Sequence, residues 1–175
     1  FSIEKYRSCG CNYGQLQKLN FDEMRVGERV SSDEYEKESV ADFALWKAYV
    51  PEDGEVTWDS PWGKGRPGWH IECSAMVKAI FGDTIDIHGG GMDLIFPHHE
   101  NEVAQSEGAS GKPFVNNWMH WNMINFGDRK MSKSLGNVRT AREFLKQYNA
   151  EIYKFMILSV HYRSISDFSD QGIER

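Results

Sequence analysis

The spacing of apolar residues changes along the chain and predicts where helices and strands lie. Between residues 71 and 80, apolar side chains recur every three or four positions, the period of a helix with one buried face, and Gly82 is suited to end that helix. A second helix is predicted from about Pro97 to about Ser106, since proline is favoured in a first helical turn. Residues 84–88 predict a short strand between these two helices.

The N-terminal third shows no such helical period. Residues 1–60 combine many charges with short alternations, which predict short strands and loops, and residues 1–6 are predicted to be the middle of a strand. Residues 58–68 hold too many glycines and prolines for regular structure, so a loop is predicted there. Because the first residue is Phe1 and not methionine, we expect the sequence to be a piece of a longer protein.

The second half of the chain alternates between strands and helices. The strand at 84–88 runs into three glycines, predicted as a turn, and an aromatic-rich strand is predicted at 114–124. Two final helices are predicted after Thr140 and Asn149, both suited to cap a helix. This alternation predicts an α/β fold with a parallel sheet. Ligands of such sheets bind beyond the carboxyl ends of strands, which makes His88 a candidate site residue.

Composition narrows the class of protein. The 175 residues carry a net charge of -6, whereas a chain that binds nucleic acid over a wide surface is usually basic. No apolar run is long enough to span a membrane. Three sparse cysteines argue against a secreted disulfide scaffold and favour the cytoplasm. Two of them, Cys9 and Cys11, are interpreted as incidental loop thiols.

One group of residues has the chemistry of a metal site. His98 and Glu102 are four apart on the second predicted helix and share a face, and Cys73 lies at the start of the helix before it. A thiolate, an imidazole and a carboxylate are a plausible zinc set. His99 and Glu100 are predicted to point away from that face. The alternative is a solvated polar helix start.

A basic segment offers a second chemistry. Residues 129–137 place Lys130 and Lys133 on either side of a small residue, followed by a serine and a glycine. A mobile loop of this kind can put two ammonium groups around a triphosphate, because lysine is a compact charge on a flexible stem. The alternative is a basic surface turn.

The segment Lys130-Met131-Ser132-Lys133-Ser134 matches the signature of class I aminoacyl-tRNA synthetases. Residues 65–76, 86–94 and 96–102 resemble the cysteinyl-tRNA synthetases in particular. The resemblance is tight over residues 40–168 and loose before them.

The resemblance implies a Rossmann-like nucleotide-binding fold that is incomplete at its N-terminal side. Residues 1–45 would belong to an inserted connective peptide. Residues 46–139 would form the second half of the catalytic domain, and residues 140–175 would begin a helical stem-contact fold.

The resemblance also implies roles for individual residues. A zinc ion that binds the substrate thiol would be held by Cys73, His98 and Glu102, with a fourth cysteine ligand upstream of residue 1. Substrate-binding roles fall on Trp69 and His70. ATP would be bound by His88, Gly89, Gly90, Gly91, Asp93 and Lys133, and catalysis would rest on Lys130 and Lys133.

The implied activity joins L-cysteine to tRNA(Cys) in two steps, using ATP with Mg²⁺. The protein would act as a monomer without a membrane partner. The family's other signature, His-Ile-Gly-His, is absent from the sequence, so the chain by itself is expected to be inactive. The alternatives are a mycothiol-pathway cysteine ligase and a non-catalytic paralogue that binds zinc or nucleic acid.

Overall fold

The structure is a computed structural model that describes residues 1–19, 41–126, 129–130 and 140–167. The chain forms two compact units. One consists of residues 1–88 and 94–117, and the other of residues 89–93 and 118–175. The predicted domain boundaries after residues 45 and 139 stay a prediction.

The first helix of the first unit, α1, spans Ile3–Ser8, so the strand predicted for residues 1–6 is wrong. The side chain of Ser2 caps the helix by accepting a hydrogen bond from Lys5 N. Ile3 and Tyr6 are buried and three residues apart, which is a helical spacing rather than a strand alternation.

A short antiparallel pair of strands follows. Strand β1, Trp46–Ala48, pairs with β2, Gly65–Pro67, and a 3₁₀ turn spans Pro51–Asp53. The loop predicted for residues 58–68 is therefore wrong at its C-terminal end. Glycine permits the pairing, because a Cβ atom at Gly65 would lie 2.1 Å from Lys47 O.

Helix α2 spans Trp69–Phe81 and ends at Gly82, as predicted. Because α2 begins at Trp69, Cys73 lies in its second turn and not at its start. Strand β3 spans Ile85–Gly91. The glycine turn predicted after residue 88 is wrong, since the three glycines continue the strand.

The connection from β3 to the next helix is irregular. A 3₁₀ turn spans Met92–Leu94, and a π-helical turn spans Ile95–His99, with Phe96 in an extended conformation inside it. Helix α3 spans Glu100–Ser110 and ends at Gly111, whose φ is 66°. It therefore begins and ends later than predicted.

Strand β4, Val115–Trp121, pairs with β3 in a parallel sheet. In the first unit this pairing includes a hydrogen bond from Ile85 N to Phe114 O at 2.9 Å. Strand, helix and parallel strand form the βαβ unit that the sequence predicts. Helices α2 and α3 pack against each other.

The core of the first unit joins α1 to α3. Its buried residues are Ile3, Tyr6, Tyr13, Ala41, Phe43 and Ala104. A Cβ at Gly108 would lie 3.2 Å from the Tyr6 ring, so glycine allows α1 and α3 to approach closely.

Besides the ends of β3 and β4, the described part of the second unit contains three short strands and two helices. Strand β5, Ile124–Phe126, pairs antiparallel with β6, Arg129–Lys130, and parallel with β7, Ser166–Asp167. Helices α4, Ala141–Gln147, and α5, Ala150–Leu158, are capped by Thr140 and Asn149, as predicted. None of the helices in the described ranges is both long and apolar enough to cross a membrane.

Candidate metal centre and nucleotide segment

The three predicted metal ligands come together in the first unit. One ligand atom each from Cys73, His98 and Glu102 lies within 4.8 Å of the other two. Cys73 comes from the second turn of α2, His98 from the turn that precedes α3, and Glu102 from the first turn of α3. Packing of α2 against α3 thus brings together residues 25 or more positions apart in the sequence.

The start of α3 is not a solvated polar surface. His98 is 5% exposed and Glu102 is 0% exposed, and the six residues Glu100–Gln105 are all buried. Burying ionisable side chains is costly unless each finds a partner. The burial therefore argues against the alternative of an ordinary helix start and for a built site.

Glu102 is the central group of the site. Its Oε2 accepts a hydrogen bond from His88 Nε2 at 2.7 Å. Its Oε1 lies 2.6 Å from His98 Nε2, but this contact lacks hydrogen-bond geometry, and Oε1 is buried without a hydrogen-bond partner among the described residues. Burial raises the pKa of Glu102, but the contacts with His88 and His98 outweigh it and lower the pKa to about 2. Glu102 is therefore an ionised carboxylate whose Oε1 faces His98 Nε2, so a cation could be shared by the carboxylate and the imidazole.

Two side chains predicted to bind substrate contact the His98 ring, and their role in substrate binding stays a prediction. His70 Nδ1 lies 3.0 Å from His98 Nδ1, and the Trp69 ring stacks on the His98 ring with centroids 4.4 Å apart. His70 is buried, whereas Trp69 is 53% exposed. A hydrogen-bonded second nitrogen fixes the orientation of a metal-binding imidazole. The sequence gives no sign of the His70–His98 contact, since the two residues lie on separate elements.

The thiol of Cys73 is half-buried. Burial raises its pKa, and the negative charges of Glu102 and Glu72 raise it further. In the absence of a cation the group is therefore a protonated thiol at neutral pH.

A second triad shares Glu102 with the first. Ligand atoms of His88, His99 and Glu102 lie within 4.8 Å of one another. The prediction that His99 points away from the metal face is wrong, because residues 95–99 form a π-helical turn and the regular 100° step does not apply there. Glu100 does point elsewhere, toward residues 14–16.

In the second unit, the predicted nucleotide segment is built around glycine. A Cβ at Gly91 would lie 2.3 Å from Asp93 Oδ1, and a Cβ at Gly89 would lie 2.9 Å from the Trp121 ring. Gly90 is buried and Asp93 is exposed. Glycine is thus needed at Gly89, where the Trp121 ring and Met119 O approach the backbone, whereas at Gly91 the Asp93 side chain occupies the free space.

The predicted catalytic lysines are described only in part. The backbone of Lys130 lies in β6, opposite Asn125 of β5. Lys133 lies outside the described residues. Their proximity to the nucleotide segment therefore stays a prediction.

The donor set of the first triad suits zinc. Zinc accepts thiolate, imidazole and carboxylate ligands, usually four in a tetrahedral arrangement, and a substrate-binding site keeps one position for an incoming group. Three converging donors, with a buried Glu102 Oε1 that has no hydrogen bond among the described residues and faces His98 Nε2, fit such an ion.

Residues 4–175 match the family described as the class I (C) tRNA synthetase catalytic domain. The chain belongs to this family. Among curated proteins, the chain is 65% identical over 175 residues to the cysteine–tRNA ligase of Bdellovibrio bacteriovorus. The match covers 100% of the chain and 35% of that relative. It is 56% identical over 174 residues to the cysteine–tRNA ligase of Syntrophotalea carbinolica, covering 99% of the chain and 35% of that relative.

This member of the class I family spans about 35% of the length of the curated relatives it matches. Among solved structures, it resembles the Agrobacterium radiobacter LeuRS in its ternary complex with tRNA and LeuAMS. The TM-score is 0.50 at 16% identity, over 67% of the chain and 19% of the LeuRS chain. That likeness confirms the predicted α/β class I fold.

Proposed function

We propose that this chain carries part of the catalytic domain of a cysteine–tRNA ligase, which activates L-cysteine with ATP and transfers it to tRNA(Cys). One observation carries the proposal: Cys73, His98 and Glu102 converge within 4.8 Å in a chain whose relatives are named for cysteine. A thiolate-containing metal site suits a substrate that has a thiol. The protein is proposed to act as a cytoplasmic monomer.

The three converging residues would hold Zn²⁺ together with a fourth protein ligand outside this chain, and the thiol of cysteine would then add a fifth ligand to the ion. When bound, the ion supplies a soft Lewis acid that favours the deprotonated thiol of cysteine over the hydroxyl of serine. A site built around one required contact can discriminate by roughly 10⁴ or more, so a separate editing step becomes unnecessary.

The neighbouring side chains orient this site. His70, at 3.0 Å, and the stacked Trp69 ring hold the His98 ring in place. The exposed part of the Trp69 ring can pack against the side chain of the substrate cysteine. His88 holds the Glu102 carboxylate at 2.7 Å. The assignment of His70 and Trp69 to substrate binding thus keeps its place in the proposal, with a second role in holding a ligand.

ATP is proposed to bind at the end of β3. The nucleoside is proposed to approach the backbone of Gly89, Gly90 and Gly91, where the Trp121 ring lies against Gly89, and the exposed Asp93 carboxylate can accept a hydrogen bond from a ribose hydroxyl. His88, which ends the first-unit part of β3, stays in the proposed ATP set. Ligands of parallel α/β sheets bind at this end of the strands.

Lysine charge is proposed to assist the first step. A carboxylate oxygen of cysteine attacks the α-phosphorus, and the bond from that phosphorus to the bridging oxygen of pyrophosphate breaks. Lys133, helped by Lys130 and by Mg²⁺, neutralises the charge that develops on the phosphates, where fixed charges contribute most.

In the second step, a ribose hydroxyl at the end of tRNA attacks the carbonyl carbon of the adenylate. AMP leaves with the electron pair of the broken C–O bond, the proton of the ribose hydroxyl is released to solvent, and cysteine is esterified to the tRNA.

The proposal is tested on the full-length protein by exchange of labelled pyrophosphate into ATP. We expect exchange with cysteine, none with serine, and charging of tRNA(Cys). Cys73→Ala should lose zinc and exchange together, whereas the matched Cys9→Ala, at an exposed cysteine, should keep both. Exchange that survives Cys73→Ala with full zinc content refutes the ligand assignment.

Two other outcomes would each identify one of the alternative functions. Exchange with cysteine but no charging of any tRNA, together with ligation to an amino sugar, identifies the mycothiol-pathway ligase. Zinc binding without exchange identifies a non-catalytic binding protein.

A further inference from the structure

Glu100 is a fully buried carboxylate at the start of α3 that the proposed reaction does not use. Its Oε1 accepts hydrogen bonds from Gly14 N at 2.6 Å and Gln15 N at 2.8 Å, and its Oε2 accepts one from Leu16 N at 2.9 Å. Three successive backbone N–H groups therefore surround one carboxylate, an arrangement that binds anions strongly.

The backbone conformation of this N-terminal segment favours its contact with Glu100. Gly14 has a φ of 100°, which lies outside the range of ordinary residues and turns the following N–H groups toward Glu100. The same segment makes two further contacts with α3. Tyr13 donates from its hydroxyl to Asn101 Oδ1 at 2.5 Å, and Gln15 Nε2 donates to Glu107 Oε2 at 2.9 Å. We call residues 13–16 the clamp segment.

The clamp segment and the metal ligands occupy opposite faces of the same helical turn. Glu100 and Glu102 are two residues apart in α3, which separates them by about 200° around the axis. Glu102 faces Cys73 and His98, and Glu100 faces the clamp segment. A shift of this turn away from the clamp segment would therefore move Glu102 as well.

This turn has little other local support within the described part of the chain. The residue before α3 is His99, and no described side chain caps the helix. The preceding π-helical turn contains an extended residue, Phe96, so the helix is not continued smoothly toward its N-terminus. Support must come from tertiary contacts, and Glu100 makes three of them to one segment.

We propose that Glu100 is a positioning residue: by binding the clamp segment through three backbone N–H groups, it fixes the first turn of α3 so that His98 and Glu102 meet Cys73. Glu100 raises the affinity for zinc and for cysteine without contacting the zinc ion or the cysteine substrate. This inference rests on the proposed zinc site and deepens it. Outer-shell partners of metal ligands typically contribute 10–100-fold to metal affinity.

The test uses the full-length protein and the near-isosteric change Glu100→Gln, which puts an NH₂ group against a backbone N–H. We expect zinc affinity, measured by chelator competition, to fall roughly 10–100-fold, as for outer-shell partners. The KM for cysteine should rise by a similar factor while the KM for ATP stays at the wild-type value. The visible spectrum of the Co²⁺-substituted protein should also change, because it reports ligand geometry.

A matched control and a second variant keep the result interpretable. Glu107→Gln also removes a carboxylate of α3 that accepts from the clamp segment, but it lies more than a turn away from Glu102 and should leave zinc affinity unchanged. If Glu100→Gln does not fold, Gly14→Ala disturbs the contact from the other side, since alanine is strained at a φ of 100°. It should weaken zinc binding in the same direction.

Two results overturn the inference. One is a folded Glu100→Gln protein with wild-type zinc affinity, cobalt spectrum and KM for cysteine. The other is a loss of thermal stability in which both KM values rise equally, as a general structural defect would produce. Zinc content and cysteine-dependent exchange of the wild type are measured first. Their absence refutes the proposed function, whereas their presence with an unaffected variant refutes the role of Glu100.

Discussion

Helices α3 and α4 both begin with polar residues, but these residues are used differently. At α4, Thr140 Oγ1 accepts from Glu143 N at 3.2 Å, and the Glu143 carboxylate accepts from Thr140 N at 2.9 Å. This capping box satisfies the N–H groups of its own helix at the surface. At α3, Glu100 and Glu102 are fully buried and contact other segments.

The difference distinguishes a helix start that only stabilises its own helix from one that positions the residues of a site. A capping carboxylate stays hydrated and costs little. A buried carboxylate must be compensated by partners, and natural chains retain that cost where the group performs a function. The buried start of α3 and the turn before it carry two of the three proposed zinc ligands, whereas α4 has an ordinary cap.

The largest expected effect comes from replacing the equivalent acidic residues of the two helix starts. Glu102→Gln removes a proposed ligand and should reduce cysteine-dependent pyrophosphate exchange by roughly 100-fold or more, beyond the effect of an outer-shell change. Glu143→Gln should leave exchange at the wild-type rate, because it only weakens a cap. Zinc content is measured on both proteins. A Glu102→Gln protein with full zinc and full exchange would contradict the distinction.

The next effect separates metal binding from phosphate chemistry. Lys133, in the segment that leads toward α4, is proposed to stabilise charge on the phosphates. Lys133→Ala should slow adenylate formation by roughly 100-fold, the scale of one lost transition-state contact, and leave zinc content unchanged. Rapid-quench measurement of adenylate formation gives the rate. An unchanged rate would remove Lys133 from the catalytic set.

The sequence predicts the regular parts of this fold well. The apolar period of α2, its end at Gly82, the caps Thr140 and Asn149, and the strand–helix–strand order are all local patterns, and the structure confirms them. Local patterns fail at 1–6 and 89–91. There a short helix is supported by burial against α3, and a glycine run continues a strand because Trp121 occupies the space beside it.

The sequence predicts the chemical character of the candidate site but not the contacts that orient its residues. Cys73, His98 and Glu102 could be selected by residue type and family resemblance, and the structure brings them together. The contacts of His70 with His98 and of Glu100 with residues 14–16 join distant parts of the chain, and no local spacing encodes them. The direction in which His99 points cannot be predicted from the regular helical step, because a π-helical turn alters the angle per residue.

A smaller effect is expected from the cap of α4. Thr140→Ala removes the side-chain oxygen that accepts from Glu143 N and should lower the free energy of unfolding by about 1 kcal/mol. Zinc affinity should not change, in contrast to changes at the start of α3. Chemical denaturation and chelator competition on the same preparation measure the two quantities. A fall in zinc affinity would show that the two helix starts are not independent.

The smallest effect concerns an exposed carboxylate, in contrast to the buried Glu102. Hydrogen bonds from Lys112 and Lys78 lower the pKa of Asp83 to about 2. Since the folded-state pKa lies below the ordinary value, the stabilisation is present above about pH 4 and is lost as pH falls toward 2. Asp83→Asn should flatten this part of the stability profile at low salt.

Added salt provides the control for this pH effect. In about 0.5 M NaCl the wild type and Asp83→Asn profiles should converge, because exposed pairs are screened. If the two profiles already coincide at low salt, the Asp83 ion pairs do not contribute to stability, and if they stay apart in salt, the difference does not come from exposed ion pairs.

The most direct test of the proposed metal site is X-ray absorption at the zinc edge of the full-length protein, compared with the Cys73→Ala variant. We expect sulfur at about 2.3 Å and nitrogen or oxygen at about 2.0–2.2 Å in the wild type, with one sulfur fewer or no zinc in the variant. An identical zinc environment in both proteins would contradict the proposal that Cys73, His98 and Glu102 form the metal site.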